Sequence, residues 1–374
     1  MSQGRWPPLR EELRGVEPYG APQLSREQAP VQLNVNENPY GPSPACAADI
    51  ARAVGEAAAS LNRYPDRELV ALREALAAYL NRSGGSGITS DMVWAANGSN
   101  EVMLQLLQAF GGPGRVALSF APTYSMYPEY ARDTVTGWIV GHREQDFSLD
   151  LDHARALVAE RRPSVVLLPS PNNPTGTALP HEAVGALCEA VEDGLVVIDE
   201  AYGEFRRAGT PSALELLPSY RNLVVTRTMS KAFALAGARL GYLAADPAIC
   251  DAVRVVRLPY HVSAVTQATA LAALDHADEL LARVDDLRAE RDRTVEWLRA
   301  QGLSVADSDA NFVLFGSFAD RHAVWGALLD RGVLIRETGP SGWLRVSVGT
   351  PSEMRSFRTA LTEVLGTVST KEGP

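Results

Sequence analysis

The stretch LVVIDEAYGEF (195–205) opens with four apolar residues and turns at once to two carboxylates. An unbroken apolar run, rather than an alternating one, is what a strand covered on both faces requires. The same character marks RVALSF (115–120), VVLLPS (165–170) and LVVTRT (223–228). Between these runs, Leu151–Arg161 and His181–Val191 read as helices. Upstream, ELVALREALAAYL (68–80) places Leu69, Leu72, Leu76 and Tyr79 at helical spacing. A further helix over Glu101–Phe110 comes after AANGSNE (95–101), where Asn97 or Ser99 is expected to cap. Strands alternating with helices predict an α/β fold with a mostly parallel, doubly wound sheet and right-handed crossovers.

Downstream, one long helix is expected from about Ala264 to Ala300. After it NFVLFG (311–316), GVLIRE (332–337) and WLRVSVG (343–349) read as strands, with helices near 320–330 and 351–365. This tail predicts a smaller α+β domain. The first 45 or so residues, rich in Pro and polar groups, read as an extended arm. The expected division is 1–45 as arm and part of the small domain, 46–258 as the large domain and 259–374 as the small one.

Composition narrows the function. The net charge of −10 over 374 residues opposes a nucleic-acid surface, which needs basic patches. No apolar run reaches membrane-span length, and the opening MSQGRWPPLREELRG has no apolar core of a secretory signal. Cys46, Cys188 and Cys250 are too far apart for a metal spacing or a disulfide framework, and fit a reducing cytoplasm. His142 and His153 show no metal spacing, so no metal is expected. The phosphate-loop, zinc-protease and hydrolase-elbow motifs are all missing.

Four segments carry chemistry. In TRTMSKAFALAGARLGYL (226–243), Ser230 and Lys231 come directly after a buried strand, where ligands of open α/β sheets sit. A desolvated lysine there becomes an amine nucleophile; an ordinary one snorkels to water. Asp199 closes a buried strand and either caps the next helix or holds a proton on a ring nitrogen. If the chain turns helical after it, Tyr202 shares its face. In SPNNPTG (170–176), Asn173 is either a plain turn residue or an amide donor at a site. The start of the helix after AANGSNE can bind phosphate through its free N–H groups.

Together with LNVNENPYGPSP (33–44), LNRYPD (61–66), APTYSMY (121–127) and LRVSVGT (344–350), these motifs occur in a recognisable order. The chain resembles the fold-type I, pyridoxal-phosphate-dependent aminotransferases. Within their class II subgroup it is similar to the histidinol-phosphate aminotransferases, with RLPYHVSAVTQA (257–268) as in actinobacterial members. The resemblance implies a cytoplasmic homodimer binding pyridoxal 5′-phosphate. It implies transamination between L-histidinol phosphate plus 2-oxoglutarate and imidazole acetol phosphate plus L-glutamate, in ping-pong half-reactions of L-histidine biosynthesis. Lys231 is then the internal-aldimine lysine and proton shuttle, Asp199 the partner of the pyridine nitrogen, and Tyr202 and Asn173 hydrogen-bond the ring hydroxylate. Tyr124 stacks on the ring. Ser99, Asn100, Ser230, Arg239 and Thr228 hold the phosphate, with Tyr64 reaching in from the neighbouring subunit. Arg345 and Arg336 take the substrate anion, and Tyr19 and Tyr260 line the substrate pocket. Asn100 and His261 depart from many relatives, which carry Asp and Asn there. An aromatic amino-acid aminotransferase on the same scaffold is the alternative; pocket polarity separates the two.

Overall fold

The computed structural model describes residues 7–20, 23–25 and 27–369; the first six residues, on which the leader argument draws, lie outside them. In chain order the strands are β1 Val31–Gln32, β2 Val93–Ala96, β3 Val116–Ala121, β4 Gly137–His142, β5 Val165–Pro169, β6 Leu195–Asp199, β7 Leu223–Thr228, β8 Gly241–Ala245, β9 Ser304–Val305, β10 Phe312–Gly316, β11 Val333–Leu334 and β12 Trp343–Ser347. Seven of them form one sheet in the order β2-β8-β7-β6-β5-β3-β4. The five from β7 to β4 run parallel, and β8 is antiparallel to both of its neighbours.

The continuous apolar strings have a direct cause. Val166, Leu168, Val196, Ile198 and Val225 enter one core, and Val165, Leu167, Leu195, Val197 and Val224 enter another. Successive side chains point to opposite faces, so a sheet covered on both sides must be apolar at every position. Removing all ten from water contributes roughly 1.5–3 kcal/mol each, before chain entropy is charged against it.

The parallel topology brings the ends of β2, β3, β5, β6 and β7 to one edge. The helix Ser99–Phe110 starts there, as do the turns after Ala121, Pro169, Asp199 and Thr228. A second unit packs β12-β10-β9 against the helix Pro351–Ser369, with Val313, Phe315, Leu344, Val346 and Phe357 in its core. The N-terminal segment joins it, since β1 pairs in parallel with β11.

Several expectations need correction. The long helix is two, Ala264–Asp275 and Ala277–Ala300, broken at His276 with no Pro or Gly involved. His276 instead reaches sideways, its Nε2 2.8 Å from Asp49 and its Nδ1 3.3 Å from Glu279. The strand expected over 332–337 keeps only Val333–Leu334, because β1 offers two partners; Arg336 then bridges to Arg345. The helix Pro44–Ala58 begins where an extended arm is expected. Its signal is legible: Ser43 accepts from the Cys46 amide and Pro44 occupies the first turn. Strands β4 and β8 and the helices Tyr127–Asp133 and Pro247–Val256 add elements that the sequence patterns above do not include.

Candidate active site

A cavity of about 370 Å³ opens at the carboxyl edge of the large sheet. Its walls include Tyr19, Ser99, Asn100, Tyr124, Asn173, Asp199, Tyr202, Thr228, Ser230, Lys231, Arg239, Arg336 and Arg345. These come from separate segments, which the strand order gathers at one edge.

One end of the cavity is built largely by backbone. Gly98, at φ +84°, holds the cap position of the helix Ser99–Phe110, with no side chain capping it. Asn97 is not the cap; its amide groups go to Glu101 Oε2 and its Nδ2 also to the His261 carbonyl. No described residue accepts from the Ser99 or Asn100 amides, so they meet the cavity at the positive end of the helix. A Cβ on Gly98 would stand 2.6 Å from Arg239 Nη2, so the glycine leaves the guanidinium its place. Thr228 Oγ1 lies 3.0 Å from Ser230 Oγ and 3.2 Å from the Leu240 carbonyl and accepts from the Ser230 amide at 3.1 Å, which fixes both hydroxyls beside Lys231.

Asp199 is buried at the end of β6 and has no cationic partner among the described residues. Burial pushes its carboxyl up to about 6, against the pull of three donors: Thr226 Oγ1 at 3.1 Å, Tyr127 Oη at 3.2 Å and the Ala201 amide at 3.2 Å. A carboxyl raised in the folded state favours its neutral form there. Its contribution to folding is full below about pH 4 and is lost as pH rises through 6. A cationic ring N–H placed against Asp199 reverses that penalty. Ligand-free Asp199→Asn should therefore melt above the ligand-free native protein at pH 8. The gap should close as pH falls toward 4, and an equal Tm at pH 8 would contradict the buried uncompensated charge.

Lys231 Nζ donates to the Val35 carbonyl at 3.0 Å. Burial, with Arg345 nearby, pulls its pKa down to about 8, partly offset by Glu37. About a quarter of such amines are neutral at pH 7.5, against roughly a thousandth of ordinary lysines. Arg345 is a second uncompensated charge. Its Nη1 donates to Asn173 Oδ1 at 2.5 Å, its Nη2 to the Asn34 carbonyl at 2.9 Å, and Nε has no partner among the described residues. The guanidinium lies 5.0 Å from the centre of the Phe312 ring, and burial lowers its pKa to about 10. Arg336 faces it across a reciprocal backbone bridge, and Tyr19 Oη lies 2.8 Å from Ser125 Oγ at the cavity mouth.

The residues present fit a pyridoxal phosphate: free helix amides for a phosphate, a buried carboxylate with no cation among the described residues, and a lysine of lowered pKa lining the same cavity. Tyr64 and Tyr260 lie outside this chain's cavity, stacked on each other with centroids 4.4 Å apart, Tyr64 being 80% exposed. His261 is also outside; its ring stacks on Trp94 at 5.3 Å and its Nε2 lies 2.9 Å from the Ala95 carbonyl. Tyr127, Thr226 and Asn36 touch Asp199 or Tyr202 and are not among the residues the sequence singles out. Each lies inside a quoted motif, Asn36 in LNVNENPYGPSP, Tyr127 in APTYSMY and Thr226 at the start of TRTMSKAFALAGARLGYL, but no pattern within these motifs marks its contact.

Residues 29–361 match the model of the family described as aminotransferase class I and II. Histidinol-phosphate aminotransferase of Thermobifida fusca (strain YX) is 63% identical over 96% of each chain. That of Bifidobacterium longum (strain NCC 2705) is 58% identical, again over 96% of each. The crystal structure of histidinol-phosphate aminotransferase from Sinorhizobium meliloti in complex with pyridoxal-5′-phosphate superposes with a TM-score of 0.83 at 26% identity, covering 96% of this chain and 98% of the other. With this agreement spanning nearly its whole length, the chain belongs to the class I and II aminotransferases.

Proposed function

We propose that this aminotransferase interconverts L-histidinol phosphate plus 2-oxoglutarate and imidazole acetol phosphate plus L-glutamate in L-histidine biosynthesis, with pyridoxal 5′-phosphate as cofactor. One observation carries the reading: a single cavity is lined by two buried groups of opposite charge, Asp199 and Arg345, neither with an ionic partner among the described residues, together with a lysine whose pKa is lowered by burial. The relatives' names supply the substrate class. Bound pyridoxal phosphate supplies the electron sink for charge developing on the substrate carbon.

The chain's own residues do the rest. Asp199 holds a proton on the ring nitrogen, and Tyr202 and Asn173 address the ring oxygen. The free amides of Ser99 and Asn100, with Ser230, Thr228 and Arg239, hold the phosphate. Lys231 Nζ, neutral often enough near pH 8, takes the proton from the substrate carbon and returns it on the far side of the exchange. Arg345 offers a planar fork that takes a carboxylate from glutamate or a phosphate from histidinol phosphate, with Arg336 beside it. Arg345→Ala should lower kcat/KM in both half-reactions by about 10²–10³-fold. Stopped-flow measurement of each half-reaction checks this; damage to the glutamate half alone would remove the shared-anion role.

Asp199→Asn should lower turnover by about 10²-fold or more while still binding cofactor, since a neutral amide cannot hold the ring charge. Steady-state rates on cofactor-saturated protein read this directly.

The active assembly in this reading is a cytoplasmic homodimer. The exposed Tyr64–Tyr260 stack adjoins Leu61, Leu258 and Val255 in sequence, all exposed, and a second copy would cover them. From there Tyr64 would meet the other subunit's phosphate. Three free, buried cysteines suit a reducing compartment. Amino-donor profiling tests the substrate. Histidinol phosphate should exceed phenylalanine in kcat/KM, and the reverse order would give the protein to the aromatic aminotransferases.

A further inference from the structure

Among the described residues, Tyr202 presents a cavity hydroxyl whose proton direction is decided by its neighbours Asn36, which also lines the cavity, and Ser347. Asn36 Nδ2 stands 2.9 Å from Tyr202 Oη. On its other side the Asn36 amide nitrogen of the backbone donates to Ser347 Oγ at 2.9 Å, and Ser347 Oγ donates to Asn36 Oδ1 at 2.9 Å. All three side chains are buried, at 1%, 4% and 6% exposure for Asn36, Ser347 and Tyr202.

The proton count then has one solution. Ser347 Oγ receives the Asn36 N–H, and its own single hydrogen goes to Oδ1. Nδ2 is therefore the atom facing Tyr202, and Tyr202 Oη accepts from it. Turning the amide over would set two Asn36 donors on Ser347 Oγ and leave the serine hydrogen without a described acceptor. Since Oη accepts at its rear, its own hydrogen is free for the cavity it lines, and no described residue takes it. Asn36 sits at φ +57°, a backbone setting that asparagine tolerates better than most residues, and its carbonyl accepts from Asn311 Nδ2 at 3.1 Å. Ser347 lies two residues from Arg345 on β12, so the strand that grips the substrate anion also anchors this chain of donors.

We propose that Asn36 and Ser347 are positioning residues that fill the acceptor side of Tyr202 Oη and so present its proton to an oxygen of the ligand in the cavity. This rests on the reading of Tyr202 as a partner of the cofactor's ring oxygen. The charged groups that act on Tyr202 are Arg345 and Asp199, with the Tyr19 phenol beyond, and none is changed in the variants below.

Asn36→Asp keeps the shape and the backbone tolerance but puts an acceptor where the donor was. Arg345, whose charge already reaches Tyr202, favours the ionised form. Tyr202 would then donate backwards, away from the ligand. Asn36→Gly keeps the left-handed backbone and removes the donor. Two readouts apply: the dissociation constant of pyridoxal phosphate from reconstituted apoprotein, and the pH midpoint of the visible absorbance transition of the resting enzyme. Loss of a hydrogen bond to the ring oxygen weakens binding about tenfold and raises the midpoint by about one unit. Tyr202→Phe and Asn36→Asp should each show both changes, Asn36→Gly a smaller shift in the same direction, and Tyr202→Phe combined with Asn36→Asp no more than Tyr202→Phe alone.

A midpoint unchanged in Asn36→Asp and Asn36→Gly, but moved in Tyr202→Phe, overturns the positioning role and leaves the cofactor reading intact. Full additivity in the double variant overturns it too. A native enzyme with no titrating visible band removes the cofactor reading and this inference with it.

Discussion

Lys231→Ala is expected to abolish transamination, with a fall of at least about 10⁴-fold in kcat. The amine is the only described lysine at the cavity. Of the other polar groups there, Asp199 accepts from Thr226, Tyr127 and Ala201, and Ser230 is tied to Thr228. Tyr202 and Tyr124 have pKa values pushed up by burial and cannot act as bases near neutrality. None of these four groups therefore stands ready to carry the proton. Cofactor affinity should fall far less than turnover, because the free helix amides, Arg239 and Asp199 remain. Borohydride reduction of cofactor-saturated native enzyme, with peptide mass mapping afterwards, should mark Lys231; Lys231→Ala should give no marked peptide. A native protein left unmodified at this position, or a variant retaining more than about a hundredth of the native rate, would sink the assignment.

How much of the molecule is written in the chain differs by element. The central strands are readable because a strand enclosed on both faces has no polar option, as in VVLLP and LVVID. β4 is not, since Gly137–His142 is exposed at its first and last residues and loses the unbroken apolar signal. The break at His276 depends on Asp49, 227 residues away, and no local pattern announces such a partner. Several residues that line the cavity, Lys231, Asp199 and Arg345 among them, are singled out through their positions at strand ends and through family motifs, whereas Glu37 and Ser125 are not. Asn36, which lines it, and Tyr127 and Ser347 behind its wall are not singled out, because they act through hydrogen bonds spanning 166, 72 and 311 residues of sequence. Tyr260 shows the opposite limit. A single chain cannot complete a pocket whose remaining wall, in the proposed assembly, belongs to a second copy.

LVVTRT reads as a buried apolar strand, yet its arginine is fully buried too, and that exception yields the largest stability effect expected. Arg227 Nη2 donates to Glu200 Oε2 at 2.7 Å, Nη1 to Glu204 Oε1 at 3.2 Å, and Nη2 also to Ser212 Oγ at 3.1 Å. Tyr79 Oη donates to Glu204 Oε1, and Glu200 Oε1 accepts from the Ala213 amide and from Arg206. Burial pushes the Glu200 carboxyl up, but Arg227 and Arg206 outweigh it, so the net shift is downward. That contribution is present above about pH 4 and is lost as acid titrates the folded carboxyl. Arg227→Ala should cost about 3–5 kcal/mol in urea unfolding, because it leaves two carboxylates buried without the guanidinium between them. Arg227→Met combined with Glu204→Gln should recover part of the loss, since the second change removes one of the stranded charges. A cost below about 1 kcal/mol for Arg227→Ala would mean that the pair contributes no more than a surface ion pair. The network also bears on chemistry. Glu200 is the residue after Asp199, and Arg227 lies between Thr226, which donates to Asp199, and Thr228 of the cavity wall. It therefore pins the ends of β6 and β7 to each other from the face opposite the site. A displacement of about 1 Å at those ends costs on the order of 10² in rate. Arg227→Ala protein that remains folded in dilute buffer should thus show lowered kcat, with Lys231 still marked when the cofactor-saturated protein is reduced with borohydride.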